Sequence, residues 1–373
     1  MKRPLCLLMA AMLIFALAGC KKTVKSGQDA NADKIGLITG CGVEDQEELW
    51  AAKSLSEKYD GTLVLATYTD AASLIGAAQA LASDPSVKAI IIVKAGDGTV
   101  SAIERARQLN PQLLIICGAP SEDVAAVAGR ADIVMLADEI GMGAAIPKKA
   151  AEMGATTLIH YSYSSLLANS AVAACRELMI DTCEQCGISY YDVTAPDPTG
   201  GTGAQGAKQF ILDDVPRQVA QYGADTAFIC SSDILQEQLI SAVLENGAIF
   251  PQQFNPSPFC GYPGALNIDV SSHEGDVSYM LENIKTKLTE RSQQGRMSTW
   301  GVALNKLIAQ SGVEYALRYI QGVTDGGVDE DALVSLISKF AGGEDKCAVS
   351  KYTLKDMTLP NCFVLLCEYY DFS

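Results

Sequence analysis

The chemistry this chain offers sits where apolar runs end in polar residues. The segment Val93–Val100, VKAGDGTV, carries Lys94 and Asp97 just past such a run. A carboxylate accepts two hydroxyl hydrogen bonds, and charge-assisted bonds are the stronger kind. Asp97 is therefore the leading ligand contact of the amino-terminal half; a solvated turn or a helix N-cap would use it as well. Phe228–Asp233, FICSSD, repeats the arrangement with Ser232 and Asp233 ahead of a helical stretch, and capping and ligand contact are again both open. His160, Tyr161 and Tyr163 close the run Thr156–Ile159. Aromatic faces suit a sugar ring or a planar base, while a lone histidine also serves as a structural hydrogen-bond partner. Cys41 and Tyr68 follow two further apolar runs, Phe259 lies in the Pro- and aromatic-rich stretch Ala248–Tyr262, and Trp300 precedes a long helical pattern.

The sequence holds no recognisable catalytic constellation. Two histidines, His160 and His273, leave little for acid–base work, and there is no GxSxG, HExxH or Walker pattern. Gly201–Gly206 matches GxGxxG, but the preceding strand ends near Val193 and the loop Thr194–Gly200 intervenes. A dinucleotide fingerprint needs a tight strand–turn–helix join, so this glycine run reads as a loop opening a helix. Cys183 and Cys186 form a lone CxxC without a second ligand pair, which argues against zinc. The expectation is a binding protein rather than an enzyme, with no metal and no cofactor.

The elements that must position these residues alternate in type. Strands are expected at Ile35–Thr39, Thr62–Ala66, Val87–Val93, Leu113–Cys117 and Ile133–Leu136, with helices at Glu44–Tyr59, Ala71–Ala82 and Thr99–Leu109 between them. Further strands are expected at Thr156–Ile159, Ile188–Val193, Thr226–Cys230, Ala265–Asp269 and Cys362–Cys367. Helices are expected near Ala168–Gln185, Gly206–Tyr222, Ile234–Glu245, Asp276–Arg291 and Asp329–Phe340. Strands alternating with helices of these lengths argue for parallel sheets with right-handed crossovers. In open parallel sheets, ligands bind beyond the carboxyl ends of the strands, where the residues above collect.

The stretch Ala131–Tyr163 lies between the two halves. It reads as a strand ending in Asp138–Glu139, a turn with Gly141 and Gly143, a helix over Ala144–Met153 closed by Gly154, and a strand. This segment resembles the first inter-lobe crossover of type I periplasmic binding proteins, the superfamily of ribose- and galactose-binding proteins and of the sugar-binding halves of lactose-repressor-type regulators. Met297–Gln321 resembles the last crossover and the helix that returns to the first lobe. The resemblance implies an α/β fold of two doubly wound parallel-sheet lobes joined by a multi-strand hinge, with a ligand cleft between them. Lobe one would span 34–138 with a return over about 300–373, lobe two 139–299, and Asp138 and Glu139 would sit in the hinge. Asp97 and Asp233 fall on hydroxyl-binding positions of that superfamily, although Ser232 stands where an asparagine is expected.

Lys2 and Arg3 followed by the apolar Leu5–Ala18 read as a secretory signal, 1–19, too short for a comfortable span. Leu17-Ala18-Gly19-Cys20 looks like a bacterial lipobox, which implies acylation of Cys20 and a tether over 20–33. The net charge of −16, from 44 acidic and 28 basic side chains, argues against nucleic acid and anionic headgroups as partners of the folded surface. The scatter of the remaining cysteines suggests buried free thiols. The expectation is a lipid-anchored protein on the extracytoplasmic face of the cell membrane. It would bind a sugar or nucleoside-like ligand and serve an ABC-type permease and ATPase. A sensor feeding a membrane receptor, or less favourably an enzyme on the same fold, stays open.

Overall fold

A computed structural model describes residues 33–42, 45–324 and 328–372. The signal, lipobox and tether readings, Cys20 included, lie outside the described residues. The first half runs β1 (Lys34–Gly40), α1 (Gln46–Lys58), β2 (Leu63–Tyr68), α2 (Ala71–Ala82), β3 (Val87–Ile92), α3 (Thr99–Leu109), β4 (Leu114–Gly118), α4 (Val124–Ala128) and β5 (Ile133–Ala137). The chain continues through α5 (Glu139–Glu152), β6 (Thr157–Ser162), α6 (Ser164–Leu167), α7 (Ser170–Cys186), β7 (Ser189–Thr194), α8 (Gly203–Tyr222) and β8 (Thr226–Cys230). A 3-10 turn (Asp233–Leu235) leads into α9 (Gln236–Glu245), α10 (Tyr262–Leu266) and α11 (Val277–Glu290). It ends in β9 (Ser298–Trp300), α12 (Leu304–Ile320), α13 (Glu330–Ala341), β10 (Cys347–Leu354), β11 (Met357–Cys367) and β12 (Tyr369–Asp371).

Seven strands form one sheet in the order β10-β11-β5-β4-β3-β1-β2, parallel except for the edge hairpin β10–β11. Its strands are near-continuous apolar runs because both faces are covered. Leu37, Ile91, Ile116 and Met135 pack with α1 and α12 on one side. Ile38, Ile90, Cys117 and Val134 pack with α2, α3 and α4 on the other. A second parallel sheet, β7-β6-β8, is extended by parallel bridges Ala227↔Ile249 and Phe250↔Met297. Ile159, Phe228, Leu239, Phe250 and Met280 fill one of its faces.

Three stretches pass between the sheets: β5 into α5, β9 into α12, and β11 into β12. They are tied together. The Asp138 N–H donates to Leu365 O at 3.0 Å, and the Gly301 N–H donates to Glu368 O at 3.1 Å. Strand β12 pairs antiparallel with β9.

Two expectations fail locally. The helix expected from Ala144 begins at Glu139, because the Asp138 carboxylate accepts the Gly141 N–H at 2.8 Å and caps it. Gly143 is a packing glycine: a Cβ there would lie 2.3 Å from the Cys175 carbonyl oxygen of α7. No strand forms at Ala265–Asp269; α10 ends there, with Asn267 in the left-handed region at φ 53°. Strands β10 and β12 carry no expectation from sequence; β12 is stabilised by a distant partner, β9, whereas β10 folds back on its neighbour β11 in a hairpin.

Candidate functional site: the cleft between the two sheets

The carboxyl ends of β1, β2 and β3 build the first wall. Lys94 follows β3, and its ammonium donates to Asp45 Oδ1 at 2.9 Å and lies 3.8 Å from Glu48 Oε1. Burial alone would lower its pKa; Glu48 and Asp45 outweigh that and hold it above the usual lysine value. Glu48 is 2% exposed and accepts from Asn305 Nδ2 at 2.6 Å, while its second oxygen has no partner among the described residues. Burial raises its pKa against the pull of Lys94. The Tyr68 hydroxyl donates to Lys94 O at 2.7 Å, which fixes the turn after β3, and Cys41 Sγ donates to Tyr68 O at 3.4 Å. Asp97 is exposed and accepts from Ser121 Oγ at 2.9 Å. The cap of α3 is instead Glu122, whose oxygens accept the Gly98 and Val100 N–H groups.

The end of β8 builds the second wall. Asp233 accepts from Asn255 Nδ2 at 2.9 Å, and Cys260 Sγ approaches it at 4.0 Å. Its side chain is exposed, as that of Asp97 is, but protein atoms crowd around it. That enclosure raises its pKa, and the Lys94 ammonium of the opposite wall opposes the rise. Ser232 and Tyr163 stand beside it with hydroxyls 3.4 Å apart. Glu139, which opens α5 at the first crossing, is raised by burial and then by Asp233, so both carboxylates feel one another.

Contacts bridge the walls. The Ser257 hydroxyl donates to Glu47 in a short hydrogen bond. Burial pushes the Glu47 carboxyl up to about 7, against that bond and the Asn305 and Lys306 N–H groups at the start of α12. The Trp50 and Phe259 rings meet edge to face at 5.6 Å. Beside the β5–α5 crossing, a cavity of about 730 Å³ opens between the sheets. Ser121, Glu122 and Tyr352 line it from one side, Glu139, Gly141 and Asn169 from the other. Neither Asp97 nor Asp233 lines it; of its lining residues, Ser121 donates to Asp97 and Glu139 feels the Asp233 charge, and its size falls within that of small-molecule sites.

Three expected ligand contacts do not reach this cleft. Tyr161 is fully buried, stacked against Phe228, with its hydroxyl donating to Asp214 at 3.0 Å. His160 is 1% exposed, with both ring nitrogens engaged by Tyr190 Oη at 2.8 Å and Ser231 Oγ at 2.6 Å. Trp300 is 1% exposed and donates from Nε1 to Gln253 O at 2.8 Å beneath the second crossing. Tyr161 lies inside β6, every residue of which is buried, whereas Tyr163 stands past the strand's end as the N-cap residue of α6, so the run His160–Tyr163 does not show by type which of its members is core. Sequence reasoning missed Glu48, Glu122, Asn255 and Tyr352, which lie in helices, loops or a late strand. Only Asp45 and Glu48, acidic residues opening a helix after a strand end, carry a signal of their own. No group of three or more metal-ligating side chains occurs among the described residues.

The fold is that of the type I periplasmic binding proteins. At 18% identity, the chain aligns over 91% of its length with 99% of a protein from Clostridium difficile 630 described as a candidate transcriptional regulator, at a TM-score of 0.79. A sugar ABC transporter protein from Actinomyces odontolyticus ATCC 17982 shares the fold at a TM-score of 0.54 and 10% identity, over 81% of this chain and 88% of that one. So does an ABC transporter periplasmic solute-binding protein from Actinobacillus succinogenes 130z, solved with bound D-allose, at 0.51 and 14%, over 78% and 92%. The chain belongs to the family described as "Protein of unknown function (DUF3798)", which it matches over residues 34–298. A Treponema pallidum (strain Nichols) relative named "Uncharacterized protein" is 30% identical over 218 residues, 58% of this chain and 99% of the relative.

Proposed function

We propose that this protein is a lipid-anchored, extracytoplasmic solute-binding protein of an ABC-type importer. In this reading Cys20 carries the acyl anchor, residues 34–138 with about 300–373 form one lobe, and residues 139–299 form the other. A sugar or nucleoside-like ligand lies between them. The observation that carries the reading is that strand ends of the two sheets carry Lys94 and Asp97 on one side and Ser232 and Asp233 on the other, with the Lys94 charge felt by Asp233, beside a cavity of about 730 Å³ whose lining includes Ser121, the partner of Asp97. Carboxylates accept ligand hydroxyls, Lys94 and the hydroxyls donate, and Phe259 and Trp50 offer an aromatic rim. The bound D-allose of the A. succinogenes protein, on the same fold, supports a sugar as the first ligand to try. Closure follows from a ligand contacting both walls at once, which favours the closed state by its differential affinity.

A thermal-shift screen of the soluble form starting at Lys21, against sugars, nucleosides, vitamins and amino acids, tests this. A true ligand at a hundredfold excess over Kd stabilises by about 2.7 kcal/mol and raises Tm by several degrees. The shift should shrink to about a third in Asp233→Ala at the same ligand concentration. No shift in any class overturns the importer reading, and gene neighbours encoding a receptor in place of a permease and ATPase turn it into a sensor.

A further inference from the structure

The ten described cysteines are all free thiols, most of them buried, as their scatter suggests. One pair stands apart. Cys347 opens β10 and Cys367 closes β11, and they are direct partners across the antiparallel ladder. Their sulfur atoms are 3.2 Å apart, inside van der Waals contact, and both side chains are almost fully buried. The next pair outward is the hydrogen-bonded one, since the Glu368 N–H donates to Lys346 O at 2.9 Å. Cys347 and Cys367 therefore occupy a non-hydrogen-bonded pair, where Cα atoms approach to about 4.5 Å and side chains lie closest. That spacing falls at the short end of the range a disulfide spans.

We propose that Cys347 and Cys367 close into a disulfide that fastens the edge strand of the seven-stranded sheet to the strand entering the third crossing. The bond would lie one residue before Glu368, whose carbonyl accepts the Gly301 N–H and ties the third crossing to the second. It would also hold β10, the sheet's edge strand, to its only ladder partner in that sheet. The oxidant is a disulfide of the glutathione or dithiol-oxidoreductase class. One cysteine, as thiolate, attacks the oxidant's sulfur, breaking its S–S bond and forming a mixed disulfide. The second thiolate then attacks that mixed disulfide on the protein sulfur. Two protons leave the protein thiols, two electrons pass to the oxidant, and the oxidant departs as two thiols. The hydrogen bond to the Cys347 sulfur, and then burial, hold the Cys367 thiol well above its ordinary value, so the reaction is slow near neutrality and quickens as pH rises.

The test is disulfide mapping of the full chain after native incubation with oxidised glutathione, followed by alkylation, denaturation and tryptic digestion without reduction. The expected product joins the peptide Cys347–Lys351 to the carboxyl-terminal peptide Asp356–Ser373, two hydrogens lighter than the sum of the two. Fragmentation places the bridge on Cys367, the linked peptide survives in Cys362→Ser, and it disappears in Cys367→Ser. The yield should grow several-fold between pH 7 and pH 9. Recovery of Cys347 and Cys367 both alkylated, both glutathionylated, or bridged elsewhere overturns the proposal. Should Cys367→Ser fail to fold, the wild-type map decides alone.

Discussion

Asp97 and Asp233 stand at matching places, each just beyond a buried parallel strand, yet the walls around them are built differently. The first wall is balanced from within: Lys94 is held between Asp45 and Glu48, and Asp97 rests in open solvent on Ser121. The second wall is not. Asp233 has an amide, Asn255, for its hydrogen bond and feels a cation, Lys94, only from across the gap, while Glu139 adds a second carboxylate nearby. The difference teaches that charge balance in this cleft depends on the two walls facing one another. A bound ligand that donates to Asp233 would supply what the second wall lacks.

The largest effect should come from Lys94→Met, which removes the charge partner of both walls at once. Buried Glu48 is left without its cation, at a cost of about 2–3 kcal/mol after allowing for the lysine's partial exposure. Chemical denaturation measures it, and an unchanged midpoint would show that the first wall is not balanced as described. Next, Asp233→Ala should weaken ligand binding by about thirtyfold, near 2 kcal/mol for a charge-assisted bond in an enclosed site, while Asp97→Ala costs under about threefold because water already competes there. Calorimetric titration of the two variants would break the comparison if their losses were equal.

The bridging carboxylate gives a pH signature. Glu47 has a folded-state pKa of about 7 against 4.5 for the free group, so the folded state binds more protons between those values. Stability should therefore fall as pH rises from about 4.5 to 7, by about 3 kcal/mol, and level off above. Glu47→Gln should flatten that stretch of the profile, and an unaltered slope would assign it to other groups. The smallest effect is Phe259→Ala, which removes the edge-to-face contact with Trp50 and should cost about 1 kcal/mol. Ligand-free scattering that becomes more extended in this variant would sharpen the view that the ring pair holds the walls together.

Much of the fold was legible because its signals are local. Helix α2 matches its expected Ala71–Ala82 bounds: Asp70 caps it in a reciprocal box with Ser73, and its apolar stripe reads at a single glance of the sequence. The parallel strands are apolar on both faces, so their runs stand out even though their partners do not. The site was only partly legible. Strand ends located Lys94, Asp97, Ser232 and Asp233, yet the aromatic run of β6 hid which residues face inward, and Trp300 proved to be core.

Residue type and spacing by themselves determined the alternation of strands and helices, the two-part plan, and the strand ends at which ligand chemistry collects. These follow from periodicity, caps and glycine stops that act within a few residues. Tertiary structure alone decided which of those side chains share a cleft, that Lys94 faces Asp233 across it, and that β12 exists at all. Each of these depends on segments far apart in the chain being brought within a few ångströms, and pairing at that range is set by packing of the whole fold, which no local pattern encodes.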